Sequence, residues 1–164
     1  MPNWCNNRLT VSGETEQVAK VKSYFESDSP FAQIYPEPKW QEIPLAEDDL
    51  EYLGRKRGEV GELPEYVEMK NPDGQVVHRG YEFKSTGCQD DRWYNWRVAK
   101  WDTKWDISQD SIEWGTEEDD YFVCHFDTAW SPPEGIIYKL REMFPDLSIS
   151  CFYDEPGMEV AGYV

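Results

Sequence analysis

Three polar side chains on two predicted strands, Arg8, His125 and Asp127, form a constellation with acid-base character. A histidine beside a carboxylate can act as a general base or bind a metal ion. A structural interpretation is also open, in which Arg8 and Asp127 pair across neighbouring strands and His125 fills a half-buried position. The third interpretation is a binding patch.

Motifs that would support catalysis are absent from the sequence. There is no Gly-x-Ser-x-Gly nucleophile motif, no glycine-rich phosphate loop and no His-Glu-x-x-His zinc motif. The four cysteines, Cys5, Cys88, Cys124 and Cys151, are widely spaced and include no Cys-x-x-Cys pair. We therefore expect reduced thiols, no metal and no cofactor, and the sequence disfavours an enzyme.

The charge of the chain restricts its partners. Asp and Glu number 33 against 16 Lys and Arg, a net charge of -17, which repels nucleic acid and anionic membranes. Residues 93–164 hold 15 acidic and five basic residues, whereas residues 1–29 are nearly neutral. The partner predicted by this charge is a protein with a basic groove.

A set of acidic residues in the second half of the sequence is the candidate partner-binding surface. Arranged as a stripe, they would imitate the phosphates of a nucleic acid backbone, although a merely solvated acidic face explains them as well. The candidates are Asp102, Asp106, Asp110, Glu113, Glu117, Glu118, Asp119 and Asp120, with Asp48, Asp49 and Glu51 from the middle of the chain.

Hydrophobic periodicity predicts the elements that position these residues. A strand over residues 7–12 is followed by a helix carrying Val18, Val21 and Phe25, and a Trp-rich helix begins near Asp91. Two strands, 105–114 and 121–127, flank a predicted acidic turn at 115–120. A helix capped by Ser131 and a strand over 147–153 complete the chain.

These elements predict an α+β fold, a ferredoxin-like βαββαβ split sandwich with strand order 4-1-3-2. One sheet face carries the two main helices, and we expect Cys5, Cys124 and Cys151 to point into that core. The open face would carry Trp4, Asn6, Arg8, His125, Asp127, Ser150 and Phe152.

The chain is long enough for one domain, residues 1–164. Residues 1–29 and 91–164 form the predicted ferredoxin-like core, and 30–90 form an irregular Pro-rich insertion with a hairpin around Asn71-Pro72-Asp73-Gly74. The Trp-rich segment 93–105 fits core packing better than a base-stacking platform.

Five segments carry a family resemblance: Met1-Pro2-Asn3-Trp4-Cys5-Asn6-Asn7-Arg8-Leu9-Thr10-Val11-Ser12-Gly13, Trp93-Tyr94-x-Trp96, Trp101-x-Thr103-Lys104-Trp105-Asp106, Phe126-Asp127-Thr128-Ala129-Trp130-Ser131-Pro132-Pro133 and Glu155-Pro156-Gly157. These segments resemble the Api92-like, or YubB-like, family of phage and plasmid proteins. Lys100-Trp101-Asp102 departs from the Asn-Trp-Gly of that family. The resemblance implies a ferredoxin-like fold and a mobile-element origin, and it assigns no catalytic residue.

Charge and resemblance together favour a non-enzymatic interaction protein of a phage or plasmid, acting in the host cytoplasm. Its most specific form is a DNA mimic that inhibits a host nucleic-acid-binding defence system. The alternative is a small-ligand or metal-binding enzyme that uses the open face around Arg8, His125 and Asp127. We expect a monomer or a homodimer, the latter paired through an edge strand at 104–114.

Overall fold

The computed structural model of the protein describes residues 3–40, 65–82 and 92–164. In chain order its elements are β1 (Trp4–Ser12), α1 (Thr15–Phe25), α2 (Pro30–Ile34), β2 (Glu65–Lys70), β3 (Val76–Glu82), α3 (Arg92–Trp101), β4 (Glu113–Glu118), β5 (Tyr121–Ala129), α4 (Glu134–Met143), β6 (Ser148–Glu155) and β7 (Val160–Tyr163). They fall into two compact units, Met1–Glu37 with Tyr94–Val164, and Pro38–Trp93.

The described part of the Pro38–Trp93 unit contains the predicted hairpin. Strands β2 and β3 pair antiparallel on either side of the Asn71–Gly74 turn. The Asn71 side chain accepts a hydrogen bond from the Gln75 backbone N–H at 2.9 Å, and Gly74 has a φ of 81°. Asparagine and glycine are suited to these two roles, which is why the local sequence predicted the turn correctly.

The first unit is a ferredoxin-like α+β domain built on a five-stranded antiparallel sheet in the order β4-β5-β1-β6-β7. The predicted 4-1-3-2 order corresponds to β6-β1-β5-β4 and is confirmed. Strand β7, which the sequence did not predict, pairs with β6 at one edge. The short turn at 156–159 folds the chain back on itself to make this extra hairpin.

The core lies between one sheet face and the helices. Alternate strand residues such as Leu9, Phe122 and Ile149 point into it, as do Val21 of α1 and Leu140 of α4. Helix α1 packs on β5 and helix α4 on β6. The apolar residues that recur every second position in the strands and at helical spacing in the helices therefore pack into one common core.

The core extends further along the chain than residue 29, the predicted boundary. Helix α2 buries Phe31 and Ile34 in the same hydrophobic cluster, and the fully buried Trp101 packs edge-on against Phe31 with ring centroids 5.9 Å apart. The Trp101 indole N–H donates to the Tyr35 carbonyl at 2.9 Å. This unit therefore continues to Glu37.

Two predicted boundaries around the acidic segment were wrong. Strand β4 runs through residues 113–118, and the turn is confined to Asp119 and Asp120. A register shift between Trp114 and Glu117 allows the backbone to keep pairing through a sequence of exposed acidic side chains. Residues 105–112 are not a strand, so the predicted edge strand at 104–114 is confined to residues 113 and 114 of β4, and the edge strands of this sheet are β4 and β7. Pairing of two copies through this edge stays a prediction.

The start of α4 also differs from its prediction. The helix begins at Glu134, and the Ser131 hydroxyl donates to the backbone carbonyl of Asp102 instead of capping the helix. The free backbone N–H of Gly135 is satisfied by the Asp102 carboxylate at 2.9 Å. A residue 33 positions earlier thus supplies the cap, which no local pattern encodes.

Candidate functional site

The open face of the sheet carries a continuous row of functional side chains. Arg8 lies opposite His125 on β5 and opposite Phe152 on β6. His125 in turn lies opposite Glu113 on β4, and Phe152 opposite Tyr163 on β7. The register therefore brings Arg8 and His125 together on the face where strand phase placed both.

Asp127 belongs to the next row and does not pair with Arg8. Its partner across the strands is Asn6, whose other neighbour is Asp154. The Arg8 guanidinium lies over the Phe152 ring at 5.3 Å, and no carboxylate of the described residues is within ion-pair distance of it. The expected Arg8–Asp127 pair was thus wrong, because the antiparallel register offsets the two residues.

These side chains surround a concave depression of about 460 Å³. Its size falls within the range of small-ligand sites, roughly 300–1,000 Å³. Its lining mixes charge and aromatic surface, with more carboxylates than cations. The lining residues are Asn6, Asn7, Arg8, Ser111, Glu113, His125, Phe126, Asp127, Phe152 and Asp154.

The Asp127 carboxylate is held in an unfavourable environment. Partial burial raises its pKa, and the nearby negative charge of Glu113 raises it further. No cation of the described residues pairs with it to offset either effect. A ligand that brings positive charge to this point would offset both effects by attracting the ionised carboxylate.

A second, smaller hollow adjoins the depression. Its volume is about 240 Å³, and it shares Ser111 and Asp127 with the larger one. Two exposed indoles line it, Trp4 at 47% exposure and Trp105 at 40%, with ring centroids 6.1 Å apart and planes inclined by 39°. We call this hollow, lined by Trp4, Trp105 and Asp127, the tryptophan notch.

A lysine lies beside the notch, between two indole rings. The Lys104 ammonium is 3.9 Å from the ring centroid of Trp105 and 4.1 Å from that of Trp130. Trp130 is itself 42% exposed and has a φ of 74°, a conformation that non-glycine residues rarely adopt. Trp105 was predicted to lie in the core with the other tryptophans of 93–105, but Trp101 is the only tryptophan of that segment that is fully buried.

Hydrogen bonds fix the segment that presents Trp105. The buried Thr103 hydroxyl donates to the Ala129 carbonyl at 3.1 Å, and the backbone N–H of Trp130 donates to the Asn3 carbonyl at 2.9 Å. Below them the buried Asn7 amide bonds to the Phe126 carbonyl and the Thr128 hydroxyl, at 3.2 and 2.9 Å. Asn3 before β1, the segment after α3 and the end of β5 therefore converge at the notch.

The predicted acidic stripe divides into groups with different roles. The Asp102 carboxylate caps α4, and that of Asp106 accepts from the backbone N–H groups of Phe31 and Ala32 at 2.9 Å. Burial raises the pKa of Asp106 even though these bonds favour its ionised form. These two aspartates stabilise the fold, a role that spacing along the sequence did not reveal.

The remaining candidates of the stripe are exposed. Glu117 pairs with Lys22 at 2.5 Å, whereas Glu118, Asp119 and Asp120 have no ion-pair partner among the described residues. Asp110 is exposed at the loop before β4, and Glu113 faces the large depression. Asp48, Asp49 and Glu51 lie outside the described residues.

Three of the four cysteines lie within the described residues, and all three are buried in the core. Cys5, Cys124 and Cys151 are buried and unpaired, and Cys88 lies outside the described residues. Burial raises the pKa of Cys5 to about 11 and that of Cys151 to about 12. Within the described ranges, no three His, Cys, Asp or Glu residues are grouped so as to hold a metal ion.

Sheet order and open face together define an α+β domain of the ferredoxin-like class. Residues 100–164 match the family described as "Ferredoxin-like domain in Api92-like protein". This match supports the resemblance to the Api92-like family that the sequence motifs indicated.

One solved structure extends the likeness of fold over the whole chain. It is the crystal structure of the protein Api92 from Yersinia pseudotuberculosis, 13% identical, with a TM-score of 0.56 over 99% of this chain and 93% of that chain. At this identity the likeness concerns the fold alone. The sequence matches no curated protein. Among the described residues, no helix has the length and hydropathy to cross a membrane.

Proposed function

We propose that this protein is a non-enzymatic interaction protein of a mobile genetic element, a phage or a plasmid, that acts in the host cytoplasm. Its exposed carboxylates occupy the basic groove of a host or phage protein. In the most specific form of the proposal it mimics DNA and inhibits a nucleic-acid-binding defence protein.

The observation that carries the proposal is the turn between β4 and β5. Glu118 at the end of β4 and Asp119 and Asp120 in the turn are exposed, and no cation of the described residues neutralises them. They project from a chain whose net charge is -17. Like charges held close together repel one another, so a basic partner that covers them lowers their electrostatic free energy. Salt weakens this attraction by screening the charges.

The test is capture of bacterial proteins on the immobilised full-length protein, with elution by duplex DNA and by salt. The proposal predicts capture of a DNA- or RNA-binding protein that duplex DNA displaces. The triple variant E118Q/D119N/D120N should lower this capture several-fold. Its control, E16Q/E142Q/D146N, removes the same charge from exposed positions elsewhere and should leave capture unchanged.

Three outcomes would contradict the proposal. Equal losses in the two triple variants would mean that only net charge matters, and a captured protein that binds together with duplex DNA is not the target of a mimic. Capture that persists in 1 M salt would likewise exclude a mainly electrostatic interface.

A second candidate function rests on the large depression. Its volume of about 460 Å³ and its Arg8, His125 and Asp127 lining suit a small-ligand enzyme. A metal-binding form has less support, because no three potential metal ligands are grouped within the described residues. Thermal-shift measurements with nucleotides and divalent metals, on the native protein and on H125A, test this candidate. A stabilisation that H125A removes would support it, and the absence of any stabilisation would refute it.

A further inference from the structure

We propose that the tryptophan notch receives an arginine side chain from a basic segment of the partner protein. This inference rests on the proposed function, because it supposes a basic protein partner, and it assigns the residues that recognise it. Trp4 and Trp105 supply aromatic walls, and Asp127 supplies the counter-charge.

The walls of the notch favour a flat cation. Both indoles are more than a third exposed although each is large and apolar, and they line the same hollow. An exposed tryptophan pair of this kind is typical of interface residues that contribute strongly to binding. The face of an indole attracts cations, and a planar guanidinium can also stack on it.

The protein itself provides an example of this interaction. Lys104 places its ammonium within about 4 Å of the rings of Trp105 and Trp130. Trp4 has no cation of the described residues over its ring. In the notch, the ring of Trp4 is therefore available to a cation, next to Trp105, whose ring already contacts the Lys104 ammonium.

Asp127 gives the notch its preference for arginine over an apolar side chain. Its carboxylate lines both hollows, is unpaired within the described residues and has a pKa raised by burial and by Glu113. A guanidinium can donate two parallel hydrogen bonds to a carboxylate while its plane rests on an aromatic ring. An ammonium offers the charge without this paired geometry.

The size and the acidic surroundings of the notch disfavour other occupants. At about 240 Å³ it is smaller than the roughly 300 Å³ at which small-molecule sites begin, so it suits one side chain. A nucleic acid base could stack on Trp4 and Trp105, but Asp127 in the notch and Glu113 and Asp154 in the adjoining depression would repel its phosphates. These carboxylates favour a basic peptide.

The inference can be tested by NMR on the ¹⁵N-labelled full-length protein. Argininamide, lysinamide and a six-nucleotide thymidine strand are titrated at low salt, and the indole N–H signals are followed. The variants W4F and W105F assign the two signals of the notch. Argininamide should move these two signals more than that of the buried Trp101, and lysinamide should need a several-fold higher concentration.

Two aspartate variants separate recognition from general attraction. D127N should raise the argininamide dissociation constant about fivefold, because a charge-assisted hydrogen bond becomes a neutral one. D146N removes an exposed carboxylate outside the notch and should leave the constant unchanged. The triple variant E118Q/D119N/D120N should bind argininamide like the native protein, which separates this site from the turn.

Equal effects of D127N and D146N would overturn the inference, as would signals that respond equally to both amino acid amides. Movement of the same two signals by the thymidine strand would mean that the notch stacks bases. Any of these results would leave the capture experiment on the β4–β5 turn standing, so failure of the notch and failure of the proposed function are distinguishable.

Discussion

Replacement of Gly135 by alanine tests how the Trp105 segment is held on the domain. Gly135 lies in the first turn of α4, where the end of α3 comes closest to it. A Cβ atom at this position would overlap the carbonyl oxygen of Lys100 and lie 2.7 Å from its carbonyl carbon. Because both neighbours are backbone atoms, no side chain rotation can relieve the overlap.

Two opposing effects set the magnitude. Alanine is favoured over glycine within a helix by about 1 kcal/mol. Separating two backbone segments that are in contact costs about 3 kcal/mol, and it also stretches the bond from the Gly135 N–H to Asp102. We therefore expect G135A to lower the free energy of unfolding by about 2 kcal/mol, equivalent to a Tm decrease of about 4–8 °C for a chain of this size.

The free energy of unfolding is measured by urea titration, with tryptophan fluorescence as the signal, and Tm is measured by calorimetry. The matched control is G115A in strand β4, where an added Cβ meets Val123 at 3.4 Å in a backbone region open to alanine. Its unfolding free energy should change by less than about 0.5 kcal/mol. If G135A is as stable as the native protein, or more stable, helix propensity decides the outcome and the reasoning from close approach is refuted.

Two further predictions concern titrating groups. Because the folded protein raises the pKa of Asp127, the ionised carboxylate costs stability above that pKa, and D127N should raise the free energy of unfolding at pH 7 by less than about 1 kcal/mol. This gain should vanish below about pH 3.8, where Asp127 is protonated in both the folded and the unfolded state. The charged and titratable groups that line the same depression are Arg8, Glu113, His125 and Asp154. A gain in stability that persists below this pH would exclude a charge effect. Burial raises the pKa of Cys5 to about 11, so peptide mapping after iodoacetamide treatment at pH 8 should find Cys5 unmodified in the native protein and modified in urea. Labelling of Cys5 at equal rates in the two conditions would contradict its burial.

Local patterns predicted the parts of the fold that depend on near neighbours. Alternation placed Leu9 and Val11 inside and Arg8 outside, and the Asn71–Gly74 turn needed only its own four residues. The order of four strands followed from the βαββαβ succession. Strand β4 was misplaced, because its pairing depends on β5 and on a register shift that its own exposed, acidic side chains do not signal.

The candidate site was predicted in part. Strand phase found the face that carries Arg8, His125 and Asp127, but the register decided that Arg8 lies opposite His125 while Asp127 lies opposite Asn6. The tryptophan notch was missed, since Trp105 follows the same spacing as tryptophans that are partly or fully buried. Its exposure follows the break after α3, where Asp102 has a φ of 63° and its carboxylate accepts a hydrogen bond from the distant Gly135 N–H.

By itself, the sequence determined the charge, the absence of recognisable catalytic motifs, the α+β class and which residues face which side of each strand. These properties follow from composition and from periods of 2 and 3.6 residues, which depend only on the local backbone. The tertiary structure alone decided that Asp102 and Asp106 cap helices and that Trp4, Trp105 and Asp127 share a hollow. Those outcomes depend on where distant segments meet, and that is fixed by the packing of the whole core.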